Sequence, residues 1–173
     1  MATEVLRPDG AGDYTNIASQ YPASTAHWDK VDEAVADDDT TYLLTDSATQ
    51  QKDAFTLGAS ALTDETINSV TVFYVARSHV GEKARFQPFL RLSGSETTGT
   101  EIDTTSTTYS LRSEALTKPG GGAWAVADLA DLQVCIGVWS DSPGGYSPHI
   151  TQIYVSVDYS VAAAGRSYGY IMD

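Results

Sequence analysis

A chain of 173 residues carrying ten bases against 23 acids, a net charge of −13, is long enough to bury one core, and its charge disfavours DNA, RNA or an anionic membrane as partner. Cys135 is the single cysteine, which excludes an intramolecular disulfide, and no apolar run approaches the roughly 20 residues of a membrane span. The charge is uneven: residues 1–70 hold 13 acids and three bases, whereas residues 71–118 hold five acids and six bases, so unlike surfaces of two copies can meet.

Residues 4–7 read as a short first strand, ended by the turn formers of residues 8–13. Residues 14–25 have no period but carry Tyr14, Ile17, Tyr21 and Pro22, which predicts an ordered loop lying along the body. From Ala26 the spacing of Trp28, Val31, Ala34 and Val35 predicts a short amphipathic helix with Trp28 as a plug, stopped by Asp37, Asp38 and Asp39. Strands follow over residues 40–45 and 53–57. Residues 67–78 are apolar on both faces and read as a central strand. Residues 85–92 return the chain, and Pro88 points to an edge or a bulge. A short strand near 100–103 and another over 109–116 precede the break at Gly120, Gly121 and Gly122. A second helical turn with Trp124 follows, then a buried strand over 133–140, a turn, and a last strand over 149–161. Residues 162–173 show no periodicity and read as a C-terminal arm on a single domain spanning 1–161.

About eight short strands with two helical turns and long connections predict an all-β antiparallel sandwich, jelly-roll-like. The N-terminal Met-Ala-Thr-Glu-Val lacks the basic and apolar regions of a secretory signal, so the expectation is a soluble protein folded in a cytoplasm.

No chemistry-bearing motif stands out. The triple glycine leads into Ala-Trp-Ala with no lysine to reach a phosphate, and no Gly-x-Ser-x-Gly occurs. His27, His79 and His149 are far apart in sequence and read as scattered loop residues, and Cys135 in its apolar run reads as a buried hydrophobe. Asp37, Asp38 and Asp39, with Asp32, are candidate oxygen ligands for Ca2+, although the spaced Asp-x-Asp-x-Asp-Gly loop is absent and helix termination explains them as well. No cofactor is expected otherwise. Ten tyrosines and three tryptophans against four phenylalanines suit surfaces that meet sugar or protein. Trp28 and Trp124 fit core positions, and Tyr146, Tyr154, Tyr168 and Tyr170 fit a surface.

The segments Gly10-Ala-Gly-Asp-Tyr-Thr-Asn-Ile17, Gln20-Tyr-Pro22, His27-Trp-Asp-Lys-Val-Asp-Glu-Ala-Val35 and Asp38-Asp-Thr-Thr-Tyr42 resemble a group of small β-sandwich proteins encoded among the structural genes of tailed bacteriophages. The resemblance covers the first quarter, and the remainder only as a matching order of strands. It implies a non-enzymatic virion component, with capsid decoration the first expectation, the major capsid protein as partner and a homo-trimer at three-fold sites of the shell. Tyr14, Tyr21, Tyr168, Tyr170 and Ile171 are then the interaction residues. The rival expectation is a carbohydrate-binding or receptor-binding module, marked by an aromatic platform with acid or amide neighbours on one sheet face. A hydrolase would need a pocket with perturbed carboxylates.

Overall fold

The computed structural model describes residues 2–141 and 148–161. Twelve strands occur among them: β1 Ala2–Leu6, β2 Pro8–Thr15, β3 Ser19–Tyr21, β4 Tyr42–Leu44, β5 Gln51–Leu57, β6 Thr66–Ser78, β7 Ala84–Leu92, β8 Ser95–Thr98, β9 Ile102–Thr104, β10 Ser110–Leu116, β11 Gln133–Ser140 and β12 Pro148–Ser160. Two 3-10 turns, His27–Lys30 and Val126–Ala130, are the helical elements among the described residues.

The strands form two antiparallel sheets. The first runs β10-β6-β12-β4-β3, with β1 also on β12; the second runs β2-β5-β11-β7-β8, with β9 also on β7. The connections from β5 to β6, β6 to β7, β10 to β11 and β11 to β12 all cross between sheets, as a jelly-roll-like sandwich requires. Alternation along each strand fills the space between them. Val70, Val72, Tyr74, Ile153, Val155 and Val157 of the first sheet share one buried cluster with Phe55, Phe86, Leu90, Val134, Ile136 and Val138 of the second. Burial pushes the Tyr74 hydroxyl up to about 12, so it stays protonated within that core.

Several expectations need correction. Residues 8–13 form an edge strand, not a turn, because their glycines serve close approach: a Cβ on Gly12 would stand 2.4 Å from Gln133 Oε1 and 2.8 Å from the Ala54 carbonyl carbon. Residues 26–36 form one 3-10 turn instead of an amphipathic helix, and Val35, placed on its apolar face, is 80% exposed. Trp28 and Trp124 do pack against the core, half-buried. Pro88 lies within the sheet, in a strand paired with β11 on one side and with β8 and β9 on the other. It is tolerated because β8 and β9 leave a gap there, and Gly99 N donates to the Pro88 carbonyl in place of a ladder. The arm at 162–173 lies outside the described residues, and no helix among those described is long and apolar enough to cross a membrane.

Candidate functional site

Alternate side chains of β5, β11 and β7 leave the core and stand on the outer face of the second sheet, where strand pairing sets them in rows. Gln133 lies between Thr56 and Arg91, Cys135 between Ala54 and Phe89, Gly137 between Lys52 and Gln87, and Trp139 beside Arg85. From Gln133 to Trp139 this strip is about 20 Å long, at the usual rise of an extended chain.

Planar polar groups cover recessed rings along it. At one end Arg91 Nε donates to Asp13 Oδ2 at 2.6 Å, and Gln133 donates to Asp13 Oδ1 at 3.2 Å while accepting from Asp13 N at 2.9 Å. The Arg91 bond holds the Asp13 carboxyl below its ordinary range. In the middle, Lys52 Nζ sits 4.0 Å from the Phe89 ring centre and 2.6 Å from Glu96 Oε2. Burial works to raise the Glu96 pKa, but the Lys52 hydrogen bond and charge, with smaller help from Tyr14 and Arg91, leave it lowered. The Tyr14 ring lies 5.3 Å from Lys52 and 5.0 Å from Arg91. Beneath these cations Ala54, Phe89 and Cys135 form a small apolar cluster with Tyr14 against it. Burial pushes the Cys135 thiol up to about 12, which makes it packing and not a nucleophile.

Further along, Gln50 Nε2 donates to Gln87 Oε1 at 2.9 Å, and Gln87 Nε2 donates to the Gly99 carbonyl at 2.9 Å. Gly137 makes room for this, since a Cβ there would stand 2.7 Å from Gln50 Nε2. At the far end the Arg85 guanidinium lies 6.0 Å from the Trp139 ring centre and 2.9 Å from Asp141. A cleft of about 380 Å³, walled by Thr56, Gly94 and Asp131, extends the strip at the Asp13 and Gln133 end. A second cleft of about 380 Å³, beside Trp124 and Lys118, is walled also by Ile67, Asn68, Leu116 and Gly122.

The outer face of the first sheet is built otherwise. Phe73 and Tyr154, paired across β6 and β12, stack at 5.0 Å with planes 1° apart, and Arg7 caps Tyr154 at 4.9 Å. Tyr21, Tyr42, His149 and His79 form a second row with successive spacings of 5.3, 4.2 and 4.5 Å. Spacings close to the strand separation mean that the rings stand upright and spend their faces on one another. His149 is 2% exposed, and neither of its nitrogens has a hydrogen-bond partner among the described residues. Burial first, then His79 and Arg77, lower its pKa to about 4, so the ring is neutral.

The residues singled out from sequence scatter over both faces. Tyr14 belongs to the strip, whereas Tyr21, 51% exposed, ends the ring row on the opposite sheet, so the two do not form one surface. Tyr168, Tyr170, Ile171 and Tyr146 lie outside the described residues. Tyr154 is half-buried in its stack instead of standing free. The three acids meant for Ca2+ point to separate tasks. Asp37 accepts from the Thr41 and Thr151 hydroxyls, Asp38 sits in left-handed backbone at φ 57°, and Asp39 takes Arg77 at 2.6 Å and the Tyr109 hydroxyl at 3.1 Å. Among the described residues no group of three His, Cys, Asp or Glu is placed to hold a metal.

The histidines are not scattered. His79 and His149 stack, and His27 Nδ1 lies 2.5 Å from the fully buried Asp53, whose other oxygen accepts from Asn16 N and Ile17 N at 2.7 and 2.9 Å. Sequence reading missed the strip itself, although the alternation of Gln133, Cys135, Gly137 and Trp139 against Arg85, Gln87, Phe89 and Arg91 carried its signal.

No protein-family model matches the chain, and no curated protein matches it. Among solved structures it is similar to a xylan-binding module, CBM15, at 13% identity and a TM-score of 0.43, with 92% of this chain and 100% of that one covered. It is also similar to a carbohydrate-binding module, TmCBM61, in complex with β-1,4-galactotriose, at 10% identity and a TM-score of 0.42, covering 88% and 86%. An arabinose-bound α-L-arabinofuranosidase, MgGH51, matches at 11% identity and a TM-score of 0.45 over 88% of this chain. The chain spans about a quarter of that enzyme's length, since 27% of it is covered.

Proposed function

We propose that this chain is a non-catalytic glycan-recognition module and that the outer face of the second sheet is its binding surface. The observation that carries this reading is the strip of amide, guanidinium and carboxylate groups set in register around Tyr14, Phe89 and Trp139. A sugar offers hydroxyls that both donate and accept, which the planar polar side chains answer. For its apolar C–H faces Tyr14 is the partly exposed ring, while Phe89 and Trp139, 3% and 7% exposed, lie beneath Lys52 and Arg85. The cations over the rings, Lys52, Arg85 and Arg91, each have a carboxylate partner, so the strip offers no spare positive charge. With the net charge of −13 this favours a neutral glycan over an acidic one. Asp13 and Glu96 are both held towards the ionised form, which suits hydrogen-bond acceptance and opposes general-acid chemistry.

A glycan array carrying neutral and acidic oligosaccharides tests the reading, run beside cosedimentation with phage capsids that lack the protein. Binding of neutral glycans that is weakened about tenfold in Arg91→Ala and unchanged in Tyr21→Ala is the expected result. A silent array with saturable capsid binding would overturn it in favour of capsid decoration, the role implied by the N-terminal resemblance.

A further inference from the structure

Strand β10 ends the first sheet, and its seven residues pair with β6 in unbroken register from Ser110 opposite Ala76 to Leu116 opposite Val70. Of the other edge strands, β3 and β9 are three residues long and β8 four, and β2 carries Pro8, Gly10 and two register shifts. β1, five residues long, carries Glu4, which takes the Ser60 hydroxyl and Ala61 N beside it. On its open side β10 makes no backbone hydrogen bond to another segment among the described residues. An open, regular edge is a template for another strand, and proteins usually protect such edges with charge, proline or a bulge. Here the outward residues Leu111, Ser113 and Ala115 are exposed and uncharged, Leu111 at 58%.

The inward side adds a second observation. Arg112 is the one described base with no ion pair or hydrogen bond among the described residues, and its Nε is buried without a partner. That is an odd state for a guanidinium in a chain with 23 acids. Two places along, on the same side of the strand, Glu114 accepts from Thr100 N at 2.7 Å and from the Thr100 hydroxyl at 2.9 Å, which leaves lone pairs free for a guanidinium.

We infer that β10 is the interface of a symmetric homodimer, in which the β10 strands of two copies pair antiparallel about Ser113 and join their first sheets into one. In that register Arg112 stands opposite Glu114 of the second copy and Glu114 opposite its Arg112, while Leu111 stands opposite Ala115. Both charges are satisfied twice by one operation, which is the self-complementarity a two-fold interface needs. Shifting the register by one residue would set the Arg112 side chain on the wrong face, so the charge pair fixes the alignment. The inference is independent of the glycan reading, since β10 belongs to the other sheet.

Sedimentation velocity of the full chain over a concentration series, with cysteine crosslinking, tests it. Opposite residues in an antiparallel pair have Cα atoms about 4.5 to 5.5 Å apart, within disulfide reach. Ser113→Cys should therefore give a covalent dimer under mild oxidation, Ser110→Cys should not, and Cys135 is fully buried and silent. Arg112→Glu should make the chain monomeric at concentrations where the wild type is a dimer, and circular dichroism verifies that each variant is folded. A wild type that stays monomeric, a trimer, or a dimer that survives Arg112→Glu and does not crosslink through Ser113→Cys would each overturn the inference. So would a first-sheet edge that crosslinks only to a different protein.

Discussion

On the first sheet the rings stand upright and pack face to face, as Tyr42 and His149 do at 4.2 Å, whereas on the second they lie beneath cations, as Phe89 does under Lys52 at 4.0 Å. The same residue types thus do two jobs. An upright stack satisfies its own faces and rigidifies the sheet, so adding a ligand gains little. A ring under an ion-paired side chain, bordered by amides, belongs to a surface whose polar groups would, on the proposed reading, exchange their bonds for the hydroxyls of a sugar. The number of aromatic residues therefore says little about binding until their orientation on the strands is known.

The carboxylate of Asp53 lies under the segment that joins the two faces, since it holds Asn16 and Ile17 between Tyr14 of the strip and Tyr21 of the stack. Asp53→Ala leaves the buried Ile17 N–H and the half-buried His27 ring without their carboxylate partner, while Asn16 N keeps its second acceptor, the Lys52 carbonyl at 3.1 Å. The expected loss is about 3 to 5 kcal/mol, measured by urea unfolding, with both faces disturbed together. An unfolding midpoint within error of the wild type would mean that the segment is held by other contacts.

A pH titration separates the faces next. His149 has a folded pKa of about 4, below the 6.5 of a free histidine. Between those values the unfolded chain binds a proton that the folded chain refuses, so stability falls as pH drops from about 6.5 towards 4. The full difference of about 2.5 pH units corresponds to about 3 kcal/mol at about 1.4 kcal/mol per unit, most of it lost within that window. His149→Phe keeps a ring in the stack and removes the proton acceptor, so the variant should gain urea stability relative to the wild type as the pH is lowered. A constant difference from pH 7 to pH 4.5 would show that His149 titrates normally. Glycan binding should not follow this titration, because His149 is on the other sheet.

The strip answers to affinity instead of stability. Arg91→Ala and Gln133→Ala each remove one partner of Asp13 at a site open to water, and each should weaken glycan binding about tenfold, or 1.4 kcal/mol, with a small change in melting temperature. Tyr21→Ala, read by the same isothermal titration, should leave affinity unchanged. Equal losses from both faces would dissolve the distinction drawn between them.

How much of this was legible in the sequence follows from what each signal depends on. Strands with period-two alternation, such as β6 and β11, were readable because their burial pattern is local, and the sandwich followed from their number and spacing. The rows of the strip needed the registers of β11 with β5 and β7, which no local pattern supplies. His27 and Asp53 are 26 residues apart, and His79 and His149 further still, so their meetings are set by topology alone. The glycines of β2 misled in a different way: turn formation and close approach call for the same residue, and only the neighbour at Ala54 decides between them.

The smallest expected effect tests the correction at the first 3-10 turn. Spacing placed Val35 on an apolar helical face with Trp28 and Val31, yet Val31 is fully buried while Val35 is 80% exposed. The backbone departs from helix at Val31, with φ −143° and ψ 8°, and the Glu33 carbonyl is then taken by Arg7 at 2.6 Å and by Gln152 at 2.6 Å. A continuing helix would need that carbonyl for its own ladder. Val35→Asp should therefore change the unfolding free energy by no more than about 0.5 kcal/mol, as for other surface substitutions. A loss of 2 kcal/mol or more would restore the amphipathic helix and place Val35 against the core, and the Glu33 carbonyl would then need another account.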